Sequence, residues 1–244
     1  MIADLLEKSI KQFNTKIGKN RKAQAIYKKA AEGIATYKDA KEFASITGKS
    51  LADVLVDALT EYRGLTEEEA LELIPGLLRA NHDRVLPIIN AAQKKVCEDA
   101  GVGLKPADIY FDTERANGLT THIWELISND RYEVKDFAGN IEMATDNFSL
   151  STVDNGVKYN ARRHYNAGLD ATVVREYDDV GVHNRKDPCE WCLSRAGTWS
   201  YADAMARGVF ERHEGCGCTI TYTTKKGTDV QTDWTTNTWT RVRR

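Results

Sequence analysis

Ala171-Thr-Val-Val-Arg-Glu-Tyr177 is the stretch on which the fold class turns. Thr172, Val173 and Val174 are β-branched and stand in a row, which suits a pleated strand better than a helix. Thr198-Trp-Ser-Tyr201 and Cys218-Thr-Ile-Thr-Tyr-Thr-Thr224 have the same texture. Before residue 170 the patterns are mainly helical, continuously so over the first hundred residues and in stretches after them. The expected architecture is therefore α+β, mainly α. A helical body spans 1–169, a small β-containing Cys/His module spans 170–224, and a polar tail with Trp234 and Trp239 spans 225–244.

Working back from the strand, Gly168 is placed to end a helix over 151–165, in which Val153, Val157, Ala161 and Tyr165 recur every four residues. Helical patterns also cover 140–148 and 112–127, and Gly101-Val-Gly-Leu-Lys-Pro106 reads as a loop. Pro75 and Pro87 should kink a helix or start a new one, the last running from about Pro87 to Gly101. Thr66-Glu-Glu-Glu69 is a capping-box pattern. Ser50 is a candidate N-cap for a helix carrying Leu51, Leu55 and Leu59 and ended by Gly64. Ile26, Ala30, Ile34, Tyr37 and Phe43 are able to form one stripe along 23–43, and Leu5, Leu6, Ile10 and Phe13 form another.

The chain has 244 residues, enough for one large domain or two small ones. A net charge of −2 gives no global attraction to nucleic acid or membrane. No apolar run is long enough to span a bilayer, and the amphipathic N-terminus does not read as a secretory signal. A reducing compartment is then the expectation, in which closely spaced cysteines serve as metal ligands before disulfides. Charge is nevertheless uneven. Lys16, Lys19, Arg21, Lys22, Lys28 and Lys29 crowd the N-terminal region, and Arg241, Arg243 and Arg244 end the chain. They form a solvated face or a non-specific phosphate contact with DNA or RNA.

Beyond the strand lies the main chemical signal: Cys189-Glu-Trp-Cys192, then His213-Glu-Gly-Cys216-Gly-Cys218. One tight turn presents both sulfurs of a Cys-x-x-Cys pair to one ion, and His213 with Cys216 repeats the spacing. Thiolate and imidazole suit Zn2+, which takes four such ligands tetrahedrally. Cys189, Cys192, His213, Cys216 and Cys218 are thus five candidates for four positions, with His183 a weaker sixth. A segment of this size carries too few large aliphatic residues for a core of its own, so a structural zinc ion supplies folding energy. Trp191 and Trp199 are expected to pack around the site.

Catalytic zinc patterns fail on these residues. Pro188-Cys189-Glu-Trp-Cys192 matches part of the zinc-deaminase signature, but His183-Asn-Arg185 and His164-Tyr-Asn166 lack the required Glu, and Cys97-Glu-Asp99 has it one place too early. His213-Glu214 is not followed by a second His at 217, as a zinc protease requires. The expectation is a protein that is not an enzyme. The alternatives are a zinc-dependent nucleic-acid-modifying enzyme, either deaminase or nuclease, and a zinc-knuckle DNA-binding protein.

Asp187-Pro-Cys-Glu-Trp-Cys-Leu-Ser-Arg-Ala-Gly-Thr-Trp199, followed by Val209-Phe-Glu-Arg-His-Glu-Gly-Cys-Gly-Cys-Thr-Ile-Thr-Tyr222, resembles the C-terminal signature of phage minor head proteins of the Mu F-like head-morphogenesis group. The likeness covers about Lys158 to Tyr222. Lys158-Tyr-Asn-Ala-Arg162 and Gly168-Leu-Asp-Ala-Thr-Val-Val-Arg175 fit variants from phages of Gram-positive bacteria. Gly217 departs from the pattern, since members usually carry Arg or Lys between the last two cysteines. The resemblance implies a minor capsid component of the virion, at the portal vertex, partnered by portal protein or major capsid protein. It also implies assembly in the bacterial host cytoplasm and a part in head assembly, DNA packaging or DNA ejection. The matching motif places the metal ligands at Cys189, Cys192, His213, Cys216 and Cys218.

Overall fold

The computed structural model describes residues 2–62, 64–128, 133–178, 189–213 and 215–224. His183, Glu214, Trp234, Trp239 and the terminal arginines lie outside the described residues. Helix α1 (Ile2–Lys19) buries Leu5, Ser9, Phe13 and Ile17, one residue per turn. Helix α2 (Arg21–Ala31) starts where the Asn20 side chain accepts the Ala23 N–H. The single stripe expected over 23–43 is broken. Gly33 adopts φ +73°, which ends α2. Thr36 and Asp39 then form a reciprocal capping box that opens α3 (Tyr37–Glu61). Ile34, in the break, is 51% exposed. Ser50 is accordingly no N-cap. It sits inside α3, and its hydroxyl donates to the Ile46 carbonyl one turn back.

Helix α4 (Glu67–Ala100) begins at the Thr66–Glu69 capping box and ends at Gly101 in the left-handed region. It runs through both Pro75 and Pro87. Each proline costs about 3 kcal/mol in a helix interior. Against that, α4 buries Leu73, Ile74, Leu77, Leu78, Val85, Ile88 and Ile89, each contributing roughly 1.5–3 kcal/mol. Tertiary burial outweighs the two local breakers. Helix α5 (Thr113–Ile127) is capped by Asp112. A 3₁₀ turn at Val134–Phe137 leads into α6 (Ala138–Asn166), which joins the two expected helices into one. The Ser149 and Ser151 hydroxyls at the seam donate to the carbonyls of Thr145 and Phe148 in the same helix, so they do not interrupt it. Gly168, φ +77°, terminates α6.

The sheet is antiparallel with order β2-β1-β3: β1 is Ala171–Glu176, β2 is Gly197–Ser200 and β3 is Thr219–Thr224. Val173 faces Trp199 on one side and Tyr222 on the other, and Arg175 faces Gly197 and Ile220. Short helices α7 (Glu190–Leu193) and α8 (Tyr201–Ala206) flank β2. The mainly-α α+β reading holds. Helix α6 ends at Asn166, and Val173, Ile220 and Tyr222 beyond it belong to the same continuous core as Phe13, Phe43 and Leu77.

A buried polar cluster pins β3 to the helices. The hydroxyls of Tyr37 and Tyr222 donate to Gln93 Oε1 at 2.9 and 2.7 Å. Gln93 Nε2 lies 3.2 Å from both His164 Nε2 and Cys97 Sγ. No helix among the described residues is long and apolar enough to cross a membrane.

Candidate metal centre

The antiparallel pairings carry two turns to one end of the sheet. The first is α7. Cys189 occupies its N-cap position, so Cys192 falls one turn later, and the Cys192 carbonyl receives the N–H groups of Arg195 and Ala196. Gly197 then turns the chain into β2 with φ +131°. The second turn precedes β3. Gly215 adopts φ +69°, and the Cys216 N–H donates to the His213 carbonyl at 3.2 Å. This short return delivers His213, Cys216 and Cys218 beside α7.

All five expected ligands meet there. Two groups have their ligating atoms within 4.8 Å of one another: Cys189, Cys192 and His213, and Cys192, Cys216 and Cys218. Cys192 belongs to both. His213 Nε2 lies 3.4 Å from Cys189 Sγ and 2.9 Å from Cys192 Sγ, and Cys192 Sγ lies 3.6 Å from Cys216 Sγ. At a metal–sulfur length of about 2.3 Å, two sulfurs of a tetrahedral site stand about 3.8 Å apart. The Cys192–Cys216 separation is close to that edge, and the two contacts of His213 are shorter. All five cysteines of the chain are free thiols, so no disulfide competes for the ligands.

The electrostatics are those of an anionic cluster. Hydrogen bonding from Cys216 and the nearby Arg175 guanidinium hold Cys218 below the ordinary thiol range. Its hydrogen bond to Cys218, together with burial, pushes Cys216 up. Burial, with Cys218 next, pushes Cys192 up. Packed this closely, the three sulfurs cannot all carry charge without a cation among them.

Two buried arginines complete the shell. Arg175, 2% exposed, donates from Nη1 to the carbonyls of Val209 and Glu211, both at 2.6 Å, and from Nη2 to Cys216 Sγ at 3.3 Å. Arg212 forms a two-pronged pair with Asp154 on α6 at 2.7 and 3.1 Å. It also donates to the carbonyls of Cys216 and Cys218. The metal-ligand pattern pointed to neither. Arg175 was readable in principle, because Ala171, Val173 and Arg175 alternate and an arginine stands at an inward position. Arg212 carried no signal beyond adjacency to His213.

Trp191 packs on the site as expected, edge-on to His213 at 5.1 Å and covered by Arg195 at 3.9 Å. Trp199 packs against the body's core from β2, with Arg207 over its ring. Glu190 and Glu211 are exposed. Of the other histidines, His164 sits in the Gln93 cluster, His82 packs edge-on against Phe111, and His122 is exposed. The basic N-terminal face is locally balanced. Lys16, Lys22, Lys28 and Lys29 stand within ion-pair distance of Asp53, Glu42, Glu32 and Asp39.

The fold and centre define a helical protein with a thiolate–imidazole cluster able to hold a metal ion. No protein-family model, curated protein or solved structure matches the chain.

Proposed function

We propose that this protein is a non-enzymatic minor head component of a phage, with a structural zinc ion in its C-terminal knuckle, acting at the portal vertex in head assembly and in DNA packaging or ejection. The observation that carries the reading is the convergence of Cys189-x-x-Cys192 and His213-x-x-Cys216-x-Cys218 at one end of a small sheet seated on a helical body. These are the residues on which the resemblance to minor head proteins rests. Zinc fits the donor set, since sulfur and imidazole nitrogen at tetrahedral spacing suit a borderline-soft ion without redox demand. A structural role fits the setting: the ligands bridge two turns of a module whose apolar residues face the body, so the ion cross-links a region short of core. The basic N-terminal face does not support the reading, because four of its lysines are matched by carboxylates.

Two measurements test the proposal separately. Purified chain should contain about one zinc ion. Co-expression with the portal and major capsid genes adjacent to its own should yield proheads that carry the chain in few copies. Proheads that assemble normally and never incorporate it would refute the head role while leaving the zinc site standing.

A further inference from the structure

Arg175 is a buried cation whose anionic partner is not a carboxylate. A guanidinium stays protonated in proteins, and burying it without a counter-charge is strongly unfavourable. Arg212 solves this with Asp154. Among the described residues, no carboxylate lies within ion-pair distance of Arg175. Its Nη1 is occupied by two backbone carbonyls, and its Nη2 points at sulfur, 3.3 Å from Cys216 and 4.0 Å from Cys192. The negative charge nearest to it is therefore that of the sulfurs, with Asp154 adding to it from beyond ion-pair distance. A divalent ion bound by three thiolates and one neutral imidazole carries one net negative charge, and a single guanidinium cancels it.

We infer that Arg175 is the counter-ion of the metal–thiolate centre, and that its N–H···S bonds keep the bound sulfurs weakly nucleophilic. The inference rests on the metal reading above. A thiolate bound to a metal still holds lone pairs and attacks alkylating agents, forming an S–C bond as the halide leaves. The product is a neutral thioether that releases the ion. A hydrogen bond donated to the sulfur draws electron density from the attacking pair. Arg175 is thus a positioning residue that makes the centre inert as well as assembled. A buried residue on the central strand of the sheet is suited to this, because β1 fixes its backbone on both sides.

The test compares wild type, Arg175→Lys and Arg175→Met, each loaded with Zn(II) or Co(II). Iodoacetamide is the probe, and metal release to a coloured chelator is the readout. Arg175→Met should release metal about tenfold faster, the scale of lost outer-shell partners. Arg175→Lys, which keeps the charge and one donor, should fall between. The sulfur-to-cobalt charge-transfer band should move to lower energy in Arg175→Met, a shift that mere loosening of the fold would not produce. Equal rates and an unmoved band would overturn the inference. Wild type alone supplies a second reading if the variants do not fold. Loaded with a spin-half cadmium isotope, it should show scalar coupling between the metal and an Arg175 guanidinium proton, and absence of coupling would also overturn the inference. A wild-type chain that binds one ion yet fails these tests removes only the role of Arg175. A chain that binds none removes the metal reading and this inference together.

Discussion

Cys192 belongs to both ligand groups, so its replacement differs in kind from that of Cys189. Cys192→Ser removes a corner from each group and should abolish binding. Cys189→Ser leaves Cys192, Cys216 and Cys218 together and should weaken binding without abolishing it. Metal-to-protein ratios after gel filtration in limiting zinc decide between them; equal losses would sink the shared-corner account. His164 offers a second test at the same scale. Gln93 Oε1 accepts from two tyrosines, so its amide N–H points to His164 Nε2, which must be an acceptor. The neutral ring then carries its proton on Nδ1. Burial, with the Arg163 charge next, lowers its pKa to about 4. The unfolded chain therefore takes up this proton first. Stability is unaffected above about pH 6.5 and falls as pH drops from there toward 4, by about 3 kcal/mol in all. Urea unfolding at pH 7 and pH 4.5 should show the loss in wild type and a smaller one in His164→Gln. Matching losses in the two proteins would mean other groups carry it.

At the scale of elements, α3 and α6 approach backbone to backbone at Gly48. A Cβ there would stand 2.7 Å from the Asp146 Cα and 2.9 Å from Ser149 Oγ. The backbone atom cannot yield, so the helices must part. Overpacking of this kind costs about 1–3 kcal/mol, against a gain of about 1 kcal/mol in helix propensity. Gly48→Ala should destabilise, while Gly18→Ala on α1, with nothing within 4 Å, should stabilise slightly. Urea midpoints of opposite sign are the expected result. The Arg212–Asp154 pair ties the turn before β3 to α6, with side chains 2% and 4% exposed. Asp154→Ala leaves a buried guanidinium unpaired and should cost about 3–5 kcal/mol in thermal or urea unfolding, with Asp154→Asn milder. Elements defined by their own neighbours were legible in the sequence: the Thr66–Glu69 box, the strand at 171–176, the helix ends at Gly101 and Gly168. Elements decided by distant packing were not. Pro75, Pro87 and the serines of α6 carry local break signals that burial overrides. The Thr36–Asp39 box was missed because Asp replaces the usual Glu, and Ser50 then took its place as the apparent start. The cysteine–histidine cluster was readable from spacing alone, whereas the pattern holds no place for the arginines beside it.

Over the whole molecule, the sheet and the helices share one core, whereas Cys192, Cys216 and Cys218 form a small cluster of their own, tied to the body through the sheet and the Arg212–Asp154 pair. If the cluster holds the proposed ion, its removal should lower the thermal midpoint by several degrees in a single transition, because binding energy there is folding energy for everything coupled to it. Far-ultraviolet circular dichroism at 25 °C should change little on chelation, since the helices keep their own core. A separate early transition on melting the chelated protein would show the module to be uncoupled. Gln93 is the hinge of that coupling in another sense. It satisfies a tyrosine from α3, a tyrosine from β3 and a histidine from α6 with one amide. Losing it alone leaves two tyrosine hydroxyls without their acceptor and His164 Nε2 without its donor, while Phe at positions 37 and 222 would remove the hydroxyls but leave His164, and Asn160 beside Tyr37, each short of a partner. Inheritance should respect that arithmetic: in descendants of this chain, Tyr37, Gln93, His164 and Tyr222 are expected to be kept or exchanged as a block.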